Sequence, residues 1–597
     1  MKKILYILSV IICVIFSFEY SSAGVSELNA KSRTDNFELK KTIFGILVYL
    51  NDTQVIDRAG TRSSVFDASD AGDGCDGKVE FNVPFFRNEL QLPAMPPIKV
   101  RNLEGEWNST VHFLPKKTGA KGQSIIAIPD SNLFVPSFVV YPLFLFRESG
   151  VDADKRLISS MMKNSWNIDK KYKRGDAYNF WLPMIDGPKY VGPYNIPLDK
   201  AIVPLAKIYV NPKLKLFWKR FTAKLNVPSP DWVISCLDSE NNPSGVSALF
   251  NIPNDSDDSS TALSIQKLKS GFFKAYPDDP FFCDASNFAI DYPVADVIAR
   301  YRDVNRDPKF EDGRDSWKGF NTGAFLTWLK DETAPTFASA ETGVMPLAKN
   351  NVDAVVNSNV LLMAGLLNKK DIAGYSEACN VVSTAIAKKV WPQCGLYYPQ
   401  LMILPYTASR AYRDGCNEAL RPAMRTLLKD ILDIQLNYSA SSEKKAGAFP
   451  GGEDRTDYLS TALGLTTLLN IGRDIAREEK LEAEYDIAIK SAVKYLISTR
   501  AKYKVKNDET IAFSENRDEL YGYQWDSGLF FSASFWDLAQ WRSEPFCNAM
   551  ILEALVKYML GYDCGGVDIM SGRKLNVINY PCDMSDGQIE NFRLEVK

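Results

Sequence analysis

The sequence predicts a mainly α-helical protein, with an α/α toroid of helical hairpins over residues 126–597 after a small β-rich region over residues 24–125. Two observations predict the toroid. The start of an apolar helix with small residues recurs along the chain, headed each time by an aspartate. Apolar residues also repeat at helical spacing in four stretches: 351–367, 420–432, 481–496 and 546–560.

The recurring helix start is clearest in two copies. The chain reads DDSSTALSI from Asp257 and DYLSTALGL from Asp457, and looser copies begin at Asp353 and Asp130. The intervals leave room for about two helical hairpins between copies. Inner helices of a toroid run parallel, so their N-terminal ends share one mouth. We therefore expect the four aspartates to converge on one cavity.

Residues 1–23 read as a secretory signal peptide. Two lysines precede an apolar run over residues 4–18, and Ser21 and Ala23 are the small residues that a cut before Gly24 requires. The run is too short for a good membrane span, and no later apolar run is long enough. The sequence thus predicts a protein without a stable membrane span, secreted or periplasmic after cleavage.

Residues 24–125 are predicted to be β-rich. Runs of β-branched and aromatic residues alternate there with Gly, Pro, Asn and Asp. The predicted strands cover residues 42–50, 78–85, 98–103, 110–114 and 124–128.

Composition excludes several classes of function. The 597 residues carry a net charge of −3, which gives no sign of nucleic-acid binding. The only histidine is His112, and no cysteine pair has zinc-finger spacing, so we predict no metal site; cofactors stay open. His112 lies in a β-like alternating run and is predicted to be half-buried and structural. Acid–base chemistry then falls to Asp, Glu, Tyr, Lys or Cys.

The cysteines are compatible with an exported protein. Nine of them follow the predicted signal peptide, and an odd number leaves at least one thiol unpaired within the chain. Cys564 and Cys582 are one candidate disulfide pair, and Cys394 and Cys416 are another. The sequence alone does not define the connectivity.

Three carboxylates crowd together ahead of an apolar helix. Asp255, Asp257 and Asp258 fall within four positions. Their mutual repulsion predicts that at least one pKa is raised, and a carboxyl group kept neutral can act as a general acid. The alternative is capping alone, because Pro followed by Asp and Ser is ordinary at a helix start.

The Asp-x-Asp-Asp sequence at 255–258, with Thr261 and Ala262 following, resembles the acid motif of class II terpene cyclases. These enzymes belong to the terpenoid cyclase and protein prenyltransferase toroids. The resemblance implies that Asp257, the central aspartate, protonates an alkene or epoxide, with Asp255 and Asp258 in support. It also implies that aromatic residues stabilise the resulting cations. The chain departs from triterpene cyclases in lacking Gln-Trp repeats and in its β-rich first hundred residues.

Further candidates lie near other helix starts. Asp353 and Asp457 are predicted to oppose Asp257 across the cavity. Polar and aromatic side chains of the later helices and loops are predicted to bind the substrate. They are Tyr406, Arg410, Asn357, Asn359, Glu453, Asp454, Trp525 and Trp536.

Two other functions stay open at this point. Carboxylates and aromatic residues in an exported toroid also suit a hydrolase or lyase acting on a glycan, with Asp257 paired with Asp353 or Asp457. Alternatively, the aspartates are only caps and the toroid is a binding or scaffold protein. A cyclase predicts a deep, aromatic-lined cavity with one buried Asp. A carbohydrate enzyme predicts an open groove with two facing carboxylates, and a scaffold predicts a filled centre with satisfied caps.

Overall fold

The structure is a computed structural model, and every structural statement below refers to the residues that it describes. The predicted signal peptide, Glu453, Asp454, Trp536, Cys564 and Cys582 lie outside them. The described residues are 37–55, 65–66, 80–81, 100–101, 103–113, 126–148, 155–183, 191–192, 252–275, 289–308, 311–312, 315–330, 350–451, 457–506, 521–525, 528–532 and 539–561.

The first described element is a helix, α1, over residues 37–53. The sequence predicts a strand over residues 42–50, and that prediction is wrong. Ile43, Leu47 and Leu50 are buried and recur at helical spacing, so one face of a helix covers all three. The preference of β-branched residues for strands depends on context, and packing of this apolar face overrides it.

The described chain is mainly helical, as the sequence predicts. Apolar residues at helical spacing account for most of these helices. Besides a single turn over Ile168–Lys171, the α-helices that follow α1 are α2 (Phe134–Glu148), α3 (Lys155–Asn164), α4 (Ser256–Ala275), α5 (Pro293–Arg300), α6 (Ala354–Leu366), α7 (Tyr375–Ala387), α8 (Ile403–Arg413), α9 (Arg421–Ala440), α10 (Asp457–Ile471), α11 (Arg473–Glu478), α12 (Glu482–Thr499) and α13 (Glu544–Met559).

Six helices pack in a cycle. In the order α2, α4, α6, α8, α10 and α13, each packs against the next, and α13 packs back on α2. We call them the six-helix cycle. Helix α6 is buried at every position from Ala354 to Ala364, and α10 at every position from Leu459 to Ile471. Both are apolar around most of their circumference because neighbours cover them on all sides. Helices α3, α5, α7 and α12 each pack on one member of the cycle.

The described strands are short and form five antiparallel sheets. The largest has the order β12–β13–β4–β5–β2 and joins the two ends of the chain, since Val111 of β4 lies opposite Trp541 of β13. The strands are β1 (Val65–Phe66), β2 (Glu80–Phe81), β3 (Val100–Arg101), β4 (Ser109–Phe113), β5 (Ile126–Asp130), β6 (Lys173–Arg174), β7 (Ala177–Tyr178), β8 (Leu182–Pro183), β9 (Val191–Gly192), β10 (Ala501–Lys504), β11 (Tyr521–Gln524), β12 (Leu529–Ser532) and β13 (Ala539–Arg542).

His112 lies in β4 and is half-buried, as the alternating pattern predicts. Burial, followed by the charge of Arg542, lowers the pKa of His112 to about 4. The imidazole is therefore neutral at physiological pH.

The cysteines correct one prediction. Cys394 is a buried free thiol whose Sγ donates to the backbone oxygen of Val390 at 3.2 Å. The predicted bridge between Cys394 and Cys416 is therefore wrong. Within the described ranges, no helix is both long and apolar enough to cross a membrane.

Candidate active site

A cavity lies where five helices of the six-helix cycle begin, namely α2, α4, α6, α8 and α13. Most residues that line it either precede one of these helices or lie in its first turn. Its volume of about 50 Å³ leaves room for several waters. The lining residues are Phe134, Phe180, Trp181, Ile252, Asp255, Asp257, Asp258, Thr327, Trp328, Val356, Tyr397, Tyr398, Phe531 and Trp541.

Aromatic rings form most of the cavity wall. Phe531 is at its centre: it stacks on Tyr397 and Phe180 with ring centroids 5.8 and 5.5 Å apart, and it meets Trp541 edge-on at 4.9 Å. Tyr398 meets Phe531 edge-on at 6.2 Å. Offset and edge-to-face pairs of this kind hold rings in fixed orientations. The result is a rigid apolar wall that carries three carboxyl groups.

Asp257 is held by side chains from other parts of the chain. Its Oδ1 accepts a hydrogen bond from Nδ2 of Asn359 in α6 at 2.6 Å, and its Oδ2 accepts one from the hydroxyl of Tyr398. The described hydrogen bonds show no backbone N–H of α4 donating to this carboxyl group. Burial raises the pKa of Asp257 to about 7, against the lowering effect of Asn359. Asp257 is thus a positioned carboxyl group that carries its proton near neutral pH.

Asp255 is the member of the acidic cluster that caps helix α4. Its Oδ1 accepts the backbone N–H of Asp258 at 2.7 Å, while Oδ2 of Asp255 and Oδ1 of Asp258 are buried without a hydrogen-bond partner. Burial raises the pKa of Asp255 to about 7. Burial also raises the pKa of Asp258 well above its usual value, and the charges of Asp255 and Asp257 add to the effect. The capping prediction therefore describes Asp255, and the raised-pKa prediction describes all three.

Asp353 is the N-cap of α6. Its Oδ1 accepts from the backbone N–H groups of Val355 and Val356, and its Oδ2 accepts from that of Leu396 at 2.6 Å. Burial raises its pKa to about 7, and the charge of the nearby Asp257 contributes to the shift. Asp353 therefore lies close to the cavity, but its two oxygens are engaged by backbone groups.

Asp457 does not reach the cavity, although it heads the closest copy of the repeat. Its Oδ1 accepts from the hydroxyl of Tyr438 in α9 at 2.7 Å and from the backbone N–H of Gly451 at 3.1 Å. It lines no part of the cavity. The structure thus brings Asp257 and Asp353 together and leaves Asp457 apart from them.

The described members of the predicted substrate-binding set fall into three groups: one residue that bonds Asp257, two buried residues that do not line the cavity, and a pair in a charge network. Asn359 binds Asp257, whereas Asn357 is structural, since it bonds the backbone N–H and oxygen of Phe325. Trp525 is buried, donates to Oγ1 of Thr499 and does not line the cavity.

Tyr406 and Arg410 form the third group and lie in a buried charge network among α2, α8, α10 and α13. Arg410 packs against the ring of Tyr141 at 4.1 Å, and the hydroxyl of Tyr406 donates to Glu553 at 2.7 Å. Lys557 contacts Glu553, Asp414 and Asn470 at 3.1, 2.9 and 2.8 Å. The network contains no residue that lines the cavity.

Sequence reasoning missed most of the aromatic wall. Among the residues missed, Tyr397 and Tyr398 stand a few residues before α8, and Phe134 begins α2. Phe531 and Trp541, before α13, belong to an aromatic run that the sequence does suggest as a stacking wall, with packing in the core as the alternative. Their shared signal is position just ahead of an apolar helix, the same position that drew attention to the aspartates. In the described ranges, no group of three or more His, Cys, Asp or Glu side chains is arranged to hold a metal ion.

Comparisons with known proteins return distant structural matches only. No family model and no curated protein matches the chain. The type II terpene cyclase MstE from Scytonema is 12% identical, covers 76% of this chain and 93% of its own, and has a TM-score of 0.37. A variant of MstE in complex with its substrate, geranylgeranyl dihydroxybenzoate, is 12% identical, with 76% and 92% coverage and a TM-score of 0.37. A protein from Actinoplanes is 11% identical, with 76% and 94% coverage and a TM-score of 0.37. TM-scores this low do not establish a shared fold.

Proposed function

We propose that this chain is a terpene-cyclase-like enzyme in which Asp257 is the general acid. The proposal rests on one observation. A carboxyl group whose pKa is raised to about 7 lies in a cavity wall made mainly of aromatic rings. With a pKa of about 7, such a group keeps its proton in about half of the molecules at pH 7 and in most of them below it, and it can deliver that proton to an apolar substrate that excludes water. The substrate class that fits is an alkene or epoxide of an isoprenoid.

The proposed step is a proton transfer. The proton of Asp257 adds to a terminal alkene carbon or to an epoxide oxygen, and the electrons of the alkene or of the C–O bond leave a cation on carbon. A further alkene of the same substrate then attacks that carbon and closes a ring, and loss of a proton ends the sequence. Asn359 and Tyr398 donate to the carboxylate that remains, which stabilises it after the transfer.

The six-helix cycle supports this proposal as the inner wall of an α/α toroid. The six helices form a closed ring of contacts, and the cavity lies at the N-terminal ends of five of them. We also propose export, on the strength of the signal peptide predicted over residues 1–23. The glycan alternative pairs Asp257 with Asp353 or Asp457, and it is less well supported, because Asp353 is engaged by three backbone N–H groups and Asp457 does not line the cavity.

The test is turnover in heavy water. The purified protein is incubated with geranylgeraniol, with its terminal epoxide and with squalene, and extracts are analysed by mass spectrometry. A cyclase that begins by protonating an alkene leaves one deuterium in each cyclic product made in D₂O. Absence of any cyclic product from all three substrates, together with release of sugars from a glycan panel, would overturn the proposal.

The pH profile of this activity should follow Asp257. Its protonated form is the acid, so kcat/KM is expected to be flat below about pH 7 and to fall as the pH rises through the pKa. Tyr398→Phe removes a donor to the carboxylate, which makes the ionised form less stable. The kcat/KM of the variant should therefore fall by about tenfold, the effect of roughly one charged hydrogen bond. The fall of kcat/KM at high pH should also move to higher pH, because the pKa of Asp257 rises. A limb that stays in place or moves to lower pH would contradict this role of Tyr398.

A further inference from the structure

Two tryptophans of the cavity wall share one buried carboxyl group behind them. Oδ1 of Asp130 accepts the indole N–H of Trp181 at 2.9 Å, and Oδ2 accepts that of Trp541 at 3.1 Å. Asn132 and Ser109 also donate to Oδ2, at 2.8 and 3.4 Å. Asp130 is 1% exposed and does not itself line the cavity.

The position of this carboxyl group has an electrostatic consequence. A carboxylate that accepts an indole N–H polarises the ring and adds to the negative potential of its faces. Ring faces of Trp attract cations, most strongly when water is excluded. Burial raises the pKa of Asp130 to about 6, so the carboxylate is ionised at pH 8. Both rings line the cavity, and their centroids are 6.5 Å apart.

The wall also connects Asp130 to the proposed acid. Aromatic contacts lead from Tyr398, which binds Asp257, to Phe531 and from there to Trp541, which binds Asp130. Proton transfer from Asp257 would form a cation on a substrate carbon. As ring closure moves this positive charge along the substrate, the charge would approach the Trp181–Trp541 pair.

We infer that Asp130 is a positioning residue that makes the Trp181–Trp541 pair a binding site for a positively charged, weakly hydrated group. In catalysis that group would be a carbocation; a quaternary ammonium ion has the same charge and a similar shape. The inference deepens the proposed function and rests on it for its catalytic meaning. Binding itself requires no turnover, so the two can fail separately.

The experiment compares choline with its uncharged carbon isostere, 3,3-dimethylbutan-1-ol, by quenching of tryptophan fluorescence and by calorimetry at pH 8. The full chain should bind choline at least tenfold more tightly than the isostere, with the ring pair and the carboxylates of Asp255 and Asp257, ionised at this pH, both contributing. These two carboxylates are unchanged in Asp130→Asn, so the part of the preference that this variant loses is the contribution of Asp130. In Asp130→Asn, choline binding should weaken by about tenfold while binding of the isostere changes little. Glu106→Gln is the matched control. Glu106 is another buried carboxyl group, and it binds Ser131 and Tyr172 instead of the tryptophans.

Three outcomes overturn the inference. They are no preference for choline in the unaltered protein, an undiminished preference in Asp130→Asn, and an equal loss of affinity for choline and for the isostere in that variant. If Asp130→Asn does not fold, Trp541→Phe takes its place, because it keeps a ring but removes the donor to Asp130 and weakens the cation–π contact. It should lower the choline preference, and an unchanged preference would overturn the inference. A choline preference without cyclase activity would keep the site and remove the proposed function. Cyclase activity without a choline preference would keep the proposed function and overturn the inference about Asp130.

Discussion

Asp257→Asn is expected to reduce cyclisation by about 10²–10⁴-fold or more, because general acid catalysis contributes on that scale and Asn has no proton of suitable acidity. Folding should be retained. The amide has the size of the carboxyl group, and Asp257 caps no backbone N–H of its helix among the described contacts. Removing a buried acid should even favour folding, by an amount that grows from about pH 4 to about pH 7 and stays constant above it, because the unfolded chain ionises Asp257 in this range and the folded state resists it.

The matched control is Asp457→Asn. It makes the same chemical change at the start of the helix that most resembles α4 in sequence, at a carboxyl group bonded to Tyr438 outside the cavity. Rates are measured with whichever isoprenoid the unaltered protein cyclises. Full activity in Asp257→Asn would show that another group supplies the proton. Equal losses in the two variants would show that a structural effect is responsible.

The sequence predicts the helices well where their own composition decides the outcome. Helix α10 is rich in apolar and small residues and is buried at every position from Leu459 to Ile471, and the recurring aspartate marks the starts of α4, α6 and α10. Helix α1 shows the limit. Its β-branched residues favour a strand locally, and only packing of Ile43, Leu47 and Leu50 against the core makes a helix the better solution.

The roles of the aspartates depend on partners that are distant in sequence. Asp255 and Asp257 are two residues apart, yet one caps α4 and the other does not. The difference arises because Asn359 and Tyr398 approach Asp257 from 102 and 141 residues away. Trp541 reaches Asp130 across 411 residues. Asp457 has almost the same local sequence as Asp257, but α9 places Tyr438 beside it. Local patterns find helix starts; tertiary packing decides which of them become a site.

Lys557→Met is expected to destabilise the folded protein by about 3–5 kcal/mol, the cost of breaking a buried ion pair from one side. Lys557 is fully buried and lies within 3.1 Å of Glu553 and 2.9 Å of Asp414. Methionine keeps much of the volume of the lysine side chain but removes its charge. Arg410 then remains as the cation of this network beside the two carboxylates. Oε1 of Glu553 lies 3.1 Å from Nζ of Lys557 and 3.9 Å from Nε of Arg410, so the substitution removes the nearer of its two cations.

Urea unfolding, followed by circular dichroism, measures the effect, and Arg300→Met is the matched control. Arg300 also forms an ion pair, with Asp176 at 3.0 Å, but the two side chains are 64% and 68% exposed, so water replaces the lost partner and stability should be unchanged. Glu553→Gln added to Lys557→Met should restore part of the loss, since it removes one of the stranded charges. If both single variants unfold at the same urea concentration, the network contributes no more than a surface pair. A loss confined to Lys557→Met and partly reversed in the double variant would identify the network as a charge-balanced part of the core. Substitutions at Arg410 would then act through stability and not through the cavity.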